Sequence, residues 1–304
     1  MFQKKFLLIF IIGFFPCSVI NATDFYVYFL GGQSNMDGYG YVNQLPENLA
    51  TDQNDVWIFH GNTSADGQPV DGRGVWSPLK PGHGVGFQSD GKTNKYSKRF
   101  GVELSFAKAL QEQNPDKKIA IIKYSRGGTS IDEKAAGGFG CWEPDFTKGN
   151  GVNQYDHFLA TLRHAHAEVD VDGDGEPDRL IPAGILWMQG ESDAHYTPEI
   201  AQRYQENLRR LMDLIRAGFR SDDLPVVIGQ ISYSKKDPPS WKHGEIVRKA
   251  QADYVTADSN AALVLSTDEY GYSDPWHYDT AGYIDLGQQF AKEIVALENG
   301  STNR

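Results

Sequence analysis

Phe25-Tyr26-Val27-Tyr28-Phe29-Leu30-Gly31-Gly32-Gln33-Ser34-Asn35-Met36 is the stretch on which the fold turns. Residues 25–30 are an unbroken apolar run, the pattern of a strand buried on both faces. The two glycines let the backbone turn without a Cβ clash. Ser34 therefore lands at the carboxyl end of a strand, where open α/β sheets hold their reactive groups. A serine hydroxyl is a weak nucleophile until a neighbouring base takes its proton. The plainer alternative is that Ser34 only caps the helix that follows. Met36 stands where a G-x-S-x-G elbow would carry its second glycine, so this is a different turn.

Outward from that turn, short apolar runs alternate with helical patterns. Strands are expected at 25–30, 119–124, 184–188, 225–230 and 262–266, and helices at 101–113, 153–168, 199–217, 244–257 and 280–297. In 101–113, Val102, Phe106, Ala109 and Leu110 recur at helical spacing and give one buried stripe. Alternation of this kind predicts repeated βαβ units and an α/β fold with a mainly parallel five-stranded sheet. Residues 60–100 are rich in Gly, Asp and Ser and read as a long loop over one face of the sheet.

The first 22 residues read as a secretory signal. Lys4 and Lys5 precede the apolar run Phe6–Phe15, and Ala22 is a plausible last residue before cleavage. That run is shorter than the ~20 residues a membrane-spanning helix needs. A secreted or periplasmic domain over 23–304 is expected, with no membrane attachment once the signal is cut. The domain would keep Cys141 as its only cysteine, so no intrachain disulfide can form. The formal charge of −11 argues against a nucleic-acid surface, which needs a basic stripe.

Asp274-Pro275-Trp276-His277 places an acid and an imidazole three residues apart. A short turn can set the carboxylate against one ring nitrogen and leave the other for Ser34, completing a serine–histidine–aspartate relay. Acyl transfer also needs N–H donors where the carbonyl oxygen becomes an anion. Tyr124-Ser125-Arg126-Gly127-Gly128-Thr129 and Trp187-Met188-Gln189-Gly190-Glu191-Ser192-Asp193 each follow a strand and can supply them. A tight βα turn for the glycines and simple backbone satisfaction for Gln189 stand beside that reading. Arg126, His195 and Trp276 are candidates for substrate contact, with Trp142 and Trp76 as further aromatic platforms. Asp170, Asp172, Asp174 and Asp178, with Gly175 at the sixth place, reproduce most of an EF-hand-type loop for structural Ca²⁺, although Ile181 replaces the twelfth-position glutamate. The alternative is a solvated acidic turn. No cofactor is required for catalysis on this reading.

Gly-Gln-Ser-Asn-Met, Gly-Gly-Thr, Trp-x-Gln-Gly-Glu-x-Asp and Asp-x-x-His, in that order, resemble the SGNH hydrolases. Within them the chain most resembles the branch of sialate O-acetylesterases and carbohydrate esterase family 6, which includes acetylxylan esterases. The resemblance implies a three-layer, flavodoxin-like α/β/α sandwich and a serine acetylesterase acting on an acetylated carbohydrate. It implies Ser34 as nucleophile, His277 as general base and acid, and Asp274 as its orienter. The oxyanion hole would comprise the N–H of Ser34, a glycine N–H taken as that of Gly127, and the Gln189 amide. Glu103 and Glu191 would be structural props. A sialate substrate, or a catalytically silent binding module, are the rival functions.

Overall fold

The computed structural model describes residues 22–64, 67–147, 152–233 and 240–302. The leader expected at 1–22 lies outside them up to Asn21. The strands are β1 (Asp24–Gly32), β2 (Gly40–Tyr41), β3 (Gln53–His60), β4 (Ser77–Leu79), β5 (Gln88–Ser89), β6 (Asn94–Lys95), β7 (Arg99–Phe100), β8 (Lys118–Ser125), β9 (Arg179–Met188), β10 (Val226–Gly229) and β11 (Ala261–Val264). The helices are α1 (Ser34–Asp37), α2 (Glu103–Gln113), α3 (Gln154–Ala167), α4 (Pro198–Gly218), α5 (Gly244–Ala257) and α6 (Thr280–Thr302). Among the described residues, no helix is long and apolar enough to cross a membrane.

The central sheet has seven strands in the order β11-β10-β9-β1-β8-β3-β4, and only β4 runs antiparallel to its neighbour. The five expected strands are present as β8, β1, β9, β10 and β11, side by side in flavodoxin-like order. The expected count of five is corrected by β3 and β4, which extend the edge beyond β8. Polar Gln53-Asn54-Asp55 opens β3, leaving too short an apolar run to read as a strand. In the fold, Val56 and Ile58 are fully buried, and β3 lies parallel to β8. The rest of the 60–100 segment carries pieces of only two or three residues.

Consecutive residues of β1 face opposite layers. Tyr28 packs on Phe106 of α2, with ring centroids 5.3 Å apart, and Phe29 packs on Phe158 of α3 at 4.8 Å. Helix α4 buries Ile200, Tyr204, Leu208, Leu211, Met212 and Ile215 at helical spacing. Burying each such side chain contributes roughly 1.5–3 kcal/mol. The Thr197 side chain accepts from the Ile200 N–H and Pro198 opens the helix, which fixes where it starts.

Register decides where the chemistry gathers. Gly32 is opposite both Ser125 of β8 and Met188 of β9. The residues just past these three strand ends, namely Ser34, Arg126 with Gly127, and Gln189, therefore emerge together, at the point where strand order reverses. Gly32 has φ of 143°, and a Cβ there would sit 2.1 Å from the Met188 carbonyl oxygen, so the turn admits only glycine.

Candidate active site

Ser34 is the first residue of the four-residue helix α1, whose N-cap position is held by Gln33. Capping is thus not its role. It lines a cavity of about 580 Å³ that His277 also lines. The Asp274-Pro275-Trp276-His277 turn folds back on its own acid. Asp274 Oδ1 accepts the N–H groups of Trp276 at 2.8 Å and His277 at 2.9 Å, and Oδ2 lies 2.7 Å from His277 Nδ1. Nδ1 carries the proton in that pair, which leaves Nε2 as the basic nitrogen. Tyr39 stacks on the imidazole with centroids 3.5 Å apart and planes within 7°. Burial lowers the His277 pKa below its ordinary value, with Asp274 opposing the shift, so the ring is the free base at neutral pH. Burial raises the Asp274 carboxyl, but hydrogen bonds from His277 and Trp276 outweigh it and leave it below the usual range.

The link between Ser34 and the His277 turn is Asn35. Its Nδ2 donates to Glu191 Oε1 at 2.8 Å and to the Trp276 carbonyl at 3.3 Å, and its Oδ1 accepts from the Tyr283 hydroxyl at 2.8 Å. Glu191 thus braces the site, as does Glu103. Glu103 Oε2 pairs with Lys123 Nζ at 2.8 Å with both side chains fully buried, and Oε1 accepts the Gly101 N–H. Lys123 spends its other hydrogens on the carbonyls of Asp37 and His83, both at 2.8 Å. Asp193 is equally internal, accepting the N–H groups of Ile131 and Asp132.

Gly127 approaches Ser34 closely: a Cβ there would lie 3.2 Å from Ser34 Cβ, whereas one on Gly128 would strike the Phe139 ring. The expectation for Gln189 needs correcting. Its side chain is fully buried, and its Nε2 faces Gln33 Oε1 at 3.2 Å, the Thr129 carbonyl at 3.1 Å and Asp193 Oδ2 at 2.7 Å. Nothing is left to donate into the cavity. Gln33 is the residue that sequence reasoning missed. Its Oε1 accepts from the N–H groups of Gly190 at 3.4 Å and Ser192 at 3.3 Å, which fixes the amide orientation. Gln33 lines the cavity, and its Nε2 has no hydrogen-bond partner among the described residues. Adjacency to Ser34 was the only signal for it in the sequence.

Residues 24–296 match the family described as "SASA: Carbohydrate esterase, sialic acid-specific acetylesterase". The chain belongs to this family of carbohydrate esterases. No curated protein matches it. Among solved structures, it is similar to a protein from Arabidopsis thaliana at 21% identity and a TM-score of 0.62, covering 91% of this chain and 99% of that one. It is also similar to a carbohydrate acetylesterase from Xanthomonas citri at 20% identity and a TM-score of 0.60, covering 90% of this chain and 57% of that longer one. For NanS the figures are 16% identity, a TM-score of 0.59, and 92% and 100% coverage. At these identities the structures establish the shared fold.

The mouth of the esterase's cavity is aromatic. Phe139, Tyr196 and Trp276 are large apolar side chains left exposed on it, and Arg126 and His195 line it as well. The imidazole Nδ1 of His195 is 2.7 Å from the Ser240 carbonyl oxygen. Trp142 and Trp76, expected as further platforms, are instead core residues: Trp142 is fully buried and Trp76 donates to the Ala165 carbonyl. Far from the cavity in sequence, Asp170, Asp172 and Asp174 offer oxygens within 4.8 Å of one another. Asp178 lies outside that cluster; its Oδ2 accepts the Val171 N–H, and its Oδ1 is buried without a partner. Ile181, at the twelfth place, is already inside β9.

Proposed function

We propose that this esterase removes acetyl groups from an acetylated polysaccharide or oligosaccharide through an acetyl-enzyme. His277 Nε2 takes the Ser34 proton as Oγ attacks the acetyl carbonyl, and the tetrahedral oxyanion collapses with expulsion of the sugar hydroxyl, which His277 protonates. Water, deprotonated by the same nitrogen, then attacks the acetyl group on Ser34 and releases acetate. Asp274 holds the ring and stabilises the imidazolium. The N–H groups of Ser34 and Gly127 and the Gln33 amide serve the oxyanion. Such donors are worth ~3–4 kcal/mol each by mutagenesis in other enzymes.

The observation that carries this reading is one cavity holding Ser34 and an Asp274-bound, neutral His277 under an aromatic rim. Sugar rings stack on such rims, and the mouth's Phe139, Tyr196 and Trp276 give three faces. The test is acetate release from acetylated xylan with Ser34→Ala beside the wild type. Release that vanishes in a folded variant supports the proposal. Release that persists in Ser34→Ala overturns it.

A sialate substrate is the second reading, favoured by Arg126 in the cavity wall, a cation suited to a sugar carboxylate. Preference for acetylated sialic acid over acetylated xylan, abolished by Arg126→Gln, would select it. Two further proposals concern the chain around the site. Residues 1–22 are a secretory signal, so the exported chain should begin at Thr23 by intact mass; a retained leader would contradict this. The loop from Asp170 to Asp178 holds a structural Ca²⁺ that takes no part in catalysis.

A further inference from the structure

A second cavity, of about 520 Å³, opens beside the catalytic one and shares Asp37, Val85 and Arg126 with it. Its lining comes from Asp37 of α1, the end of β3 with the segment after it, Val85 to Phe87 with the β5–β6 hairpin, and the carboxyl end of β8. Its position at the ends of parallel strands is where α/β sheets take ligands. Asp37 is three residues past Ser34 on the same short helix, and Arg126 directly precedes Gly127. A molecule with its ester at Ser34 therefore reaches this space past those two side chains.

The lining is suited to a polyhydroxylated ring. Phe87, largely buried, lines the cavity with its ring stacked on His60, centroids 4.1 Å apart and planes 5° from parallel. Asn62, Thr63, Gln88 and Lys95 add polar groups around it. Ser125 supplies an independent sign of a missing ligand. It is 2% exposed, it lines this cavity, and its Oγ has no hydrogen-bond partner. A buried hydroxyl left unpaired is costly to a fold, and a ligand hydroxyl would satisfy it. Burial also pushes the Asp37 carboxyl up to about 7, against the pull of Lys123. That carboxyl can accept from or donate to a sugar hydroxyl near neutrality.

We propose that this second cavity is the subsite for the sugar unit adjoining the acetylated one, so the preferred substrate is an acetylated oligosaccharide and not an acetylated monosaccharide. This rests on the acetylesterase reading above. The test compares kcat/KM for acetylated methyl glycosides and the matching acetylated disaccharides of xylose, glucose and N-acetylglucosamine, with 4-nitrophenyl acetate as the common reference. For at least one sugar, the wild type is expected to prefer the disaccharide by about tenfold, what one hydrogen bond to a substrate hydroxyl is worth. Ser125→Ala, which loses no protein hydrogen bond, and Thr63→Trp, which fills the cavity, should each bring that ratio toward one. A ratio of one for all three sugars in the wild type, or a preference unchanged in both variants, would overturn the subsite. Failure of the esterase reading shows separately, as aryl acetate hydrolysis that is absent in the wild type or undiminished in Ser34→Ala.

Discussion

In the proposed mechanism, His277 governs protonation and Gln33 governs charge. Because burial lowers the His277 pKa, its basic form is lost only as pH falls through a value below 6.5. The kcat/KM profile is expected to rise with an acid-limb midpoint below 6.5. A midpoint above 6.5 would contradict the burial argument. Gln33→Glu keeps an acceptor for the Gly190 and Ser192 N–H groups and removes the Nε2 donor. A kcat loss of about 100-fold or more in a chain that stays folded by circular dichroism is expected, in line with single oxyanion donors elsewhere. A kcat within threefold of wild type would remove Gln33 from the oxyanion hole. The pairing of Asp274 with His277 and the cavity that His277 shares with Ser34 were legible because those residue types and their order point to one candidate site. Gln33 and Gln189 were not separable, because which glutamine faces the cavity depends on backbone N–H groups contributed by another loop.

The elements place these residues through three strand ends. The strands β1, β8, β9, β10 and β11 were legible because apolar runs bounded by turns report burial on both faces. Strand β3 was hidden by its polar opening, because Gln53 to Asp55 lie before its pairing with β8 begins at Val56 and are not buried. The pair of Lys123 on β8 with Glu103 on α2 was also illegible, because a buried ion pair leaves no periodic trace in sequence. Lys123→Met would strand Glu103 as an unpaired buried charge. A loss of about 3–5 kcal/mol in urea unfolding is expected, and Lys123→Met with Glu103→Gln should recover part of it. A single variant within 1 kcal/mol of wild type would contradict the claim that the pair fastens α2 to the sheet beneath the site.

Across the whole molecule, one sheet displays the candidate active-site cavity and its polar neighbour at the carboxyl ends of its strands, while the acidic loop lies at the amino end of β9. Ca²⁺ bound there would clamp the α3–β9 connection and stabilise the folded state by mass action. Chelation is therefore expected to lower the melting temperature while leaving aryl acetate turnover at 25 °C unchanged. An unshifted melting curve would leave the loop as a solvated acidic turn. The order of motifs along the chain made the overall layout legible, but the second cavity was not. Most of its walls come from the 60–100 segment, in which no local pattern announces a regular element.

The proposed activation of Ser34 by His277 can be read directly by intact and peptide mass spectrometry after reaction with diethyl 4-nitrophenyl phosphate. A single diethylphosphoryl group on Ser34, formed with loss of activity, absent in Ser34→Ala and slowed in His277→Ala, is the predicted result. Loss of activity with the group on another residue, or full acetylesterase activity in a folded Ser34→Ala chain, would contradict it.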